Sequence, residues 1–181
     1  MGRIIVPKLN KFQRIHKDGL VESFWEMRSE LAVVHTRIHG GCNVRNDLGV
    51  VGRGVVTTAF VEFMVDSLVT DEALWDNIKY HAQGTGVGAE AIGNTTLGTE
   101  NNPGGSPGDR GAGSQEEGSG ANVYKSIYEF TEDESIAVTE HGLLNGVTGG
   151  ILMDRTLFSA INVTSGDKIE FTYQLTCTAG G

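Results

Sequence analysis

The chain has 181 residues, enough for one domain or for one domain with an arm. A formal charge of −9 argues against direct binding to nucleic acid or to an anionic membrane, because phosphates would repel it. No apolar run approaches the roughly 20 residues that span a bilayer, and hydrophobic residues make up a modest 39% beside 26 glycines.

The opening MGRIIVPKLNKF has no long apolar stretch and no small-residue cleavage site, so no secretory leader is expected. Val6 stands where a myristoylation signal wants Ser or Thr, with Pro7 after it. Residues 1–19 carry Lys8, Lys11, Arg14 and Lys17 and read as a basic arm, solvated or docked on an acidic neighbour. In residues 20–41, Leu20, Phe24, Met27, Leu31 and Val34 form a helical stripe with Asp18 placed to cap it. AVVHTRIH at Ala32–His39 is β-branched and alternates instead. The expectation is a short helix or extended piece, then a strand over about Leu31–His39 ended by Gly40–Gly41.

Residues 55–69 are the clearest helix, with Val56, Phe60, Phe63, Met64 and Leu68 on one face. ALWDNIKYH at Ala73–His81 reads as a strand with Leu74, Asp76, Ile78 and Tyr80 on one side; Asp76 marks it as an edge. Gly84–Gly120 is glycine-rich, and only Ile92 and Leu97 are bulky and apolar, so it cannot fold alone. Leu97–Glu100 reads as a short pinned piece and Asn101–Gly120 as a projecting, mobile loop.

The last third is strand and turn. Asn122–Phe130, Ser135–His141 and Ile151–Phe158 read as strands. Gly142–Gly150 reads as a turn region and Ala160–Val163 as a short link. DKIEFTYQLTC at Asp167–Cys177 alternates without a fault. Ile169, Phe171, Tyr173, Leu175 and Cys177 point one way, which marks a half-buried strand. Strands at this spacing predict a mainly β fold: an antiparallel β-sandwich, jelly-roll-like, with one amphipathic helix. Residues 20–181 then form a single β-rich domain behind the arm.

Candidate chemistry is sparse. His35, His39 and Cys42 look like metal ligands, yet on a strand the two histidines lie roughly 13 Å apart, too far for one ion. Gly84, Gly86 and Gly88 resemble a phosphate loop, but the lysine is missing and Glu90 would repel the phosphate; a tight or flexible backbone path is expected. Glu132, Asp133 and Glu134 read as a charged hairpin tip. Glu140–His141 and Asp154–Arg155 are adjacent pairs on strands, so their members face opposite ways. Arg155 is expected in a cross-strand or inter-subunit ion pair. Cys42 and Cys177 are expected as free thiols of a reducing compartment. The glycosylation patterns at Asn94–Thr96 and Asn162–Thr164 carry no weight without a secretion signal.

Three blocks carry a family resemblance: VVTTAFVEFMVDSLV at Val55–Val69, YHAQGTGVGAEAIGNTTLGTE at Tyr80–Glu100, and AVTEHGLLNGVTGGILMDRTLFSAINVTSGDKIEFTYQLTCTAGG at Ala137–Gly181. Together they cover about half the chain and resemble small virion structural proteins of tailed bacteriophages. Gly93–Asn94 and Gly98 depart mildly from that pattern, and the insertion Asn101–Gly120 is unusually glycine-rich, so no family role is carried over to it. The resemblance implies a capsid decoration, or cement, protein that is not an enzyme and needs no cofactor or metal. It would be made in the host cytoplasm and would lie on the capsid exterior. Its implied partners are the major capsid protein and its own copies, in a trimer or another cyclic homo-oligomer. The implied contact residues are Lys8, Lys11, Phe12, Arg14, Leu97, Glu100 and Arg155. A tail, collar or fibre-attachment component is the other reading of the same resemblance.

Overall fold

A computed structural model describes residues 26–69, 77–105 and 107–178. Among these residues it contains two five-stranded antiparallel sheets, one α-helix and a 3-10 turn at Pro107–Asp109. The strands are β1 (Glu26–His39), β2 (Cys42–Gly52), β3 (Val55–Val56), β4 (Tyr80–Gly84), β5 (Gly111–Ala112), β6 (Glu116–Glu117), β7 (Val123–Thr131), β8 (Ile136–Leu144), β9 (Leu152–Val163) and β10 (Lys168–Thr178), with α1 at Thr58–Val69. Sheet 1 has the order β2-β1-β10-β7-β6 and sheet 2 the order β3-β9-β8-β4-β5. The chain crosses between sheets from β7 to β8, makes the β8–β9 hairpin in sheet 2, and crosses back into β10.

β10 sits at the centre of sheet 1, antiparallel to β1 on one side and to β7 on the other. Its alternation explains why. Ile169, Phe171, Tyr173 and Leu175 are buried on the inner face, while Lys168, Glu170, Thr172 and Gln174 are half-buried on the other. Cys177, expected on the buried side, is exposed because it lies past the end of the core. Opposite the apolar face of sheet 1 stand Val138, Leu143, Met153, Ile161 and Val163 of sheet 2, and the two sets form one core. Phe171 is in ring contact with Phe130, His141 and Phe158.

The helix closes one flank of that core. Thr57 caps it, its hydroxyl accepting the Phe60 N–H at 3.2 Å. Phe60 and Phe63 are buried and Met64 is half-buried. Two details differ from the sequence reading. Val55–Val56 pairs with Arg155 and Asp154 as strand β3, so the helix starts after it. Leu68 is 89% exposed, because the last turn runs beyond the sheet it covers.

Other boundaries also moved. β1 is extended from Glu26, with no helix in the described part of residues 20–41, since pairing with β10 from Glu26↔Thr178 onward outweighs the helical stripe. The strand expected at Ala73–His81 begins only at Tyr80, and it is flanked on both sides, by β8 and β5. Residues 73–76 lie outside the described residues. β8 continues through Leu144, and β9 runs unbroken through Ala160–Val163.

Residues 101–120, expected to project, are stitched to both sheets. Gly111–Ala112 pairs with β4 and Glu116–Glu117 pairs with β7. Backbone pairing and polar anchors hold this segment, so its lack of apolar residues does not free it.

Phe171→Ala should lower unfolding stability by about 3–5 kcal/mol, the usual cost of emptying an aromatic core site. Thr172→Ala, on the opposite face, should cost no more than about 1 kcal/mol. Urea unfolding of the two variants checks both figures.

Candidate functional site

The polar residues fall into three groups: one between the sheets, one on the outer face of sheet 2, and one around the acidic run. Between the sheets, β4 turns His81 and Gln83 inward, and both are fully buried. His81 Nδ1 lies 2.9 Å from His141 Nε2 on β8, and His81 Nε2 lies 2.8 Å from Ser126 Oγ on β7. His141 Nδ1 has no partner. A bare lone pair is cheaper to bury unpaired than an N–H, so the proton belongs on His141 Nε2 and is donated to His81 Nδ1. His81 then donates from Nε2 to Ser126. Burial lowers the pKa of His81 to about 3 and, with His81 as a neighbour, holds that of His141 well below its usual value. Both rings are therefore neutral near pH 7.

This row has the residue types of a nucleophilic relay but not the access. Ser126, His81 and His141 are all fully buried, so no substrate reaches the hydroxyl. What the row does is tie β4 and β8 of sheet 2 to β7 of sheet 1. A second tie joins Ser29 of β1 to Asp154 of β9, with Ser29 Oγ donating to Oδ2 at 2.6 Å. Burial pushes the Asp154 carboxyl up to about 6 even though Ser29 and Thr156 donate to it.

On the outer face of sheet 2, Glu140 and Arg155 meet across the β8–β9 hairpin, with Arg155 Nη2 2.7 Å from Glu140 Oε2. Both are buried. The Glu140 carboxylate also accepts the backbone N–H groups of Gly86, Gly98 and Thr99 at 2.7–2.9 Å. Burial alone would raise its pKa; those N–H groups and the Arg155 guanidinium outweigh it and hold it below the usual range. The glycine block is thus a tight backbone path. A Cβ at Gly86 would collide with the Glu140 carboxylate, so only glycine fits there. Glu90, on the same loop, accepts the Leu157 N–H. Beneath the loop Leu97 packs with Ala82, Leu144 and Leu152.

The acidic run is not a free hairpin tip. Glu132 is buried, and Gln83 Nε2 lies 3.0 Å from each of its oxygens. Asp133 accepts the Gly104 N–H at 2.6 Å and Glu134 accepts from Asn101 Nδ2 at 3.0 Å. The run therefore clasps the start of the 101–120 segment. Farther along, Arg110 makes two bonds to Glu100, at 2.7 and 2.8 Å, and donates to the Gly146 and Gly149 carbonyls.

Three of the expected contact residues are placed by these contacts. Leu97 is core, Glu100 is taken up by Arg110, and Arg155 is sealed against Glu140 within one chain. None of the three presents a free side chain to a partner. Lys8, Lys11, Phe12 and Arg14 lie outside the described residues. His35 is buried with Nε2 3.5 Å from Asp167, away from exposed Cys42. Among the described residues no group of three or more His, Cys, Asp or Glu is placed to hold a metal ion.

Among the described residues, several large apolar side chains stand outside. Val87 is 81% and Ile92 49% exposed on the anchored glycine loop. Ile38, Val44, Leu48 and Val50 are exposed on the β1–β2 hairpin, where Gly40 and Gly41 make the turn at positive φ. A groove of about 500 Å³ lies at that end, lined by Arg37, Ile38, Val44, Val163 and Asp167 among others. Sequence reasoning missed β2 altogether; its β-branched Val44, Val50 and Val51 after a Gly–Gly turn were the available signal.

The chain matches no protein-family model, no curated protein and no solved structure.

Burial raises the Glu132 pKa from 4.5 to about 7, against the Gln83 amide, with Asp133, Asp167 and Glu134 adding to the rise. A raised folded-state pKa contributes stability that is full below about 4.5 and is lost as pH climbs through about 7. The melting temperature of Glu132→Gln relative to the parent should therefore improve between pH 5 and pH 8. Paired melts at the two pH values isolate this group from the histidines, which act in the opposite direction. A separate variant, Glu140→Gln, leaves Arg155 without its counter-charge. It should cost about 3 kcal/mol and speed amide exchange at Gly86, Gly98 and Thr99.

Proposed function

We propose that this chain is a structural protein of a tailed-bacteriophage virion, one that decorates the capsid and stabilises it by binding the lattice of the major capsid protein. The observation that carries this reading is a division of labour in the side chains. His81, His141, Glu140 and Arg155 are buried and spent on contacts within the chain, while the large apolar Val87 and Ile92 stand outside on a loop that is pinned in place. That arrangement favours work by binding energy rather than by bond-making chemistry. The resemblance of Ala137–Gly181 and Tyr80–Glu100 to phage virion proteins points the same way.

In this proposal the loop from Gly84 to Glu100 is the shell-facing element. Its backbone is already ordered by Glu140, so little conformational entropy is lost when Val87 and Ile92 dock. Each contact is small, but a lattice offers many. Binding that favours the assembled shell over its opened form raises shell stability by mass action, and linked copies add avidity. The −9 charge keeps the free chain soluble until it docks.

Purified particles test the proposal. The chain should be present in a fixed ratio to the major capsid protein, and particles lacking it should rupture at a lower temperature. A small fixed set of copies at one vertex would assign it to the tail, collar or fibre attachment instead. Val87→Glu with Ile92→Glu should lower retention on empty shells roughly tenfold or more, as loss of a central apolar contact does, with the chain's own melting temperature nearly unchanged.

A further inference from the structure

β2 is the outermost strand of sheet 1. Its inner edge pairs with β1 from His39↔Cys42 to Leu31↔Gly52, and among the described residues no strand pairs with its outer edge. Residues 42–50 are exposed. Sheet edges are usually guarded by charged side chains, above all lysine, by proline or by bulges; β2 carries Arg45, Asp47 and two bulges near its end. CNVRNDLGVVG has neither lysine nor proline, and it exposes Val44 (55%), Leu48 (37%) and Val50 (54%). Its irregular part begins only beyond Asp47, where the register shifts and Gly49 takes φ +63. From Cys42 to Asp47 the pairing with β1 is regular, and that stretch offers a straight edge.

The sequence on that edge is complementary to its own reverse. It reads Val44, Arg45, Asn46, Asp47, Leu48. An antiparallel copy related by a two-fold axis through Asn46 sets Arg45 opposite Asp47 of the second copy, twice. Val44 is brought towards Leu48 of the second copy, the residue at which β2 bulges. Directly opposed residues share a face with Cβ atoms about 4.5–5.5 Å apart, within reach for the Arg45–Asp47 pairs. A two-fold axis that continues the sheet must pass through a residue, because opposed side chains must lie on one face. The two neighbouring registers place Arg45 against Arg45 or Asp47 against Asp47, and each is disfavoured by like charge.

We propose that this edge is a self-association site: two copies join by antiparallel β2–β2 pairing about a two-fold axis at Asn46, merging two five-stranded sheets into one. The contact is isologous and closes on itself, so the edge is used up and no filament follows. It gives the exposed valines a cover and the unpaired backbone groups of β2 their partners. The pairing needs no shell and is read on the purified chain, so its failure leaves the capsid reading standing.

Light scattering and cross-linking of the full chain test it. Arg45→Asp and Asp47→Arg should each weaken the dimer roughly tenfold, since two attractive pairs become two repulsive ones. The double variant Arg45→Asp with Asp47→Arg restores opposite charges and should recover the dimer. In a Cys42→Ser, Cys177→Ser background, Asn46→Cys should form an intermolecular disulfide under mild oxidation, because the paired Cα atoms lie within disulfide range. Val44→Cys in that background should not, its two copies being about 13 Å apart. All these positions are exposed, and a thermal melt checks that each variant is folded. A monomeric parent chain, a double variant as weak as the singles, or equal cross-linking at positions 44 and 46 would overturn the proposal.

Discussion

Two polar side chains on one short strand constrain the rest of this fold. β4 carries His81 and Gln83 into the space between the sheets, where no exposed surface remains to solvate them. Each must be met by a partner of matching chemistry. His141 comes from the adjacent strand β8, Ser126 from β7 across the core, and Glu132 from the turn after β7. A one-residue slip of β4 would turn Ala82 inward and break every one of these bonds. The network therefore specifies how the sheets face each other, a task that the apolar residues around Phe171 and Leu143 leave degenerate. Ser29 and Asp154 repeat the device at the other side of the sandwich.

The same economy governs the glycine-rich half of the middle region. Its segments have little to bury, so they are held by charge and by backbone. Glu140 gathers three N–H groups of the 84–100 loop and is itself neutralised by Arg155. Asp133, Glu134 and the Glu100–Arg110 pair do the same for Asn101, Gly104 and Arg110. An ordered loop with exposed Val87 and Ile92 is a different object from a disordered one: it presents a surface instead of having to form one on contact. The two sheets leave exposed apolar side chains outside, on the pinned loop of one and on the β1–β2 hairpin of the other.

Much of the sheet framework was legible in the residues. β10 and β7 alternate because only one face of each is fully buried, and period two survives in the sequence wherever that holds; β8 is buried on both faces from Glu140 to Leu144. β2 escaped notice for the converse reason. With both faces exposed along residues 42–50, nothing imposes an alternation on its side chains. Leu68 was placed on the buried face of α1 because helical periodicity says which face a residue is on, but not where the neighbouring sheet stops. The 101–120 segment was read as projecting because composition reports apolar burial and is silent on hydrogen bonds supplied from elsewhere.

Glu140–His141 and Asp154–Arg155 show where the boundary lies. From the sequence alone it follows that neighbours on a strand face apart, and they do: Glu140 and Arg155 lie on the outer face, His141 and Asp154 on the inner. Which member of one pair meets which member of the other is a matter of the β8–β9 register, and that follows from the hairpin and its bulge. The residues by themselves determined a β-rich, acidic chain with one helix and a half-buried final strand. Only the tertiary structure decided that His81, His141, Glu132, Glu140 and Arg155 are spent on holding strands and loops together, because partners such as His81 and His141 lie 60 residues apart and meet only when β4 pairs with β8.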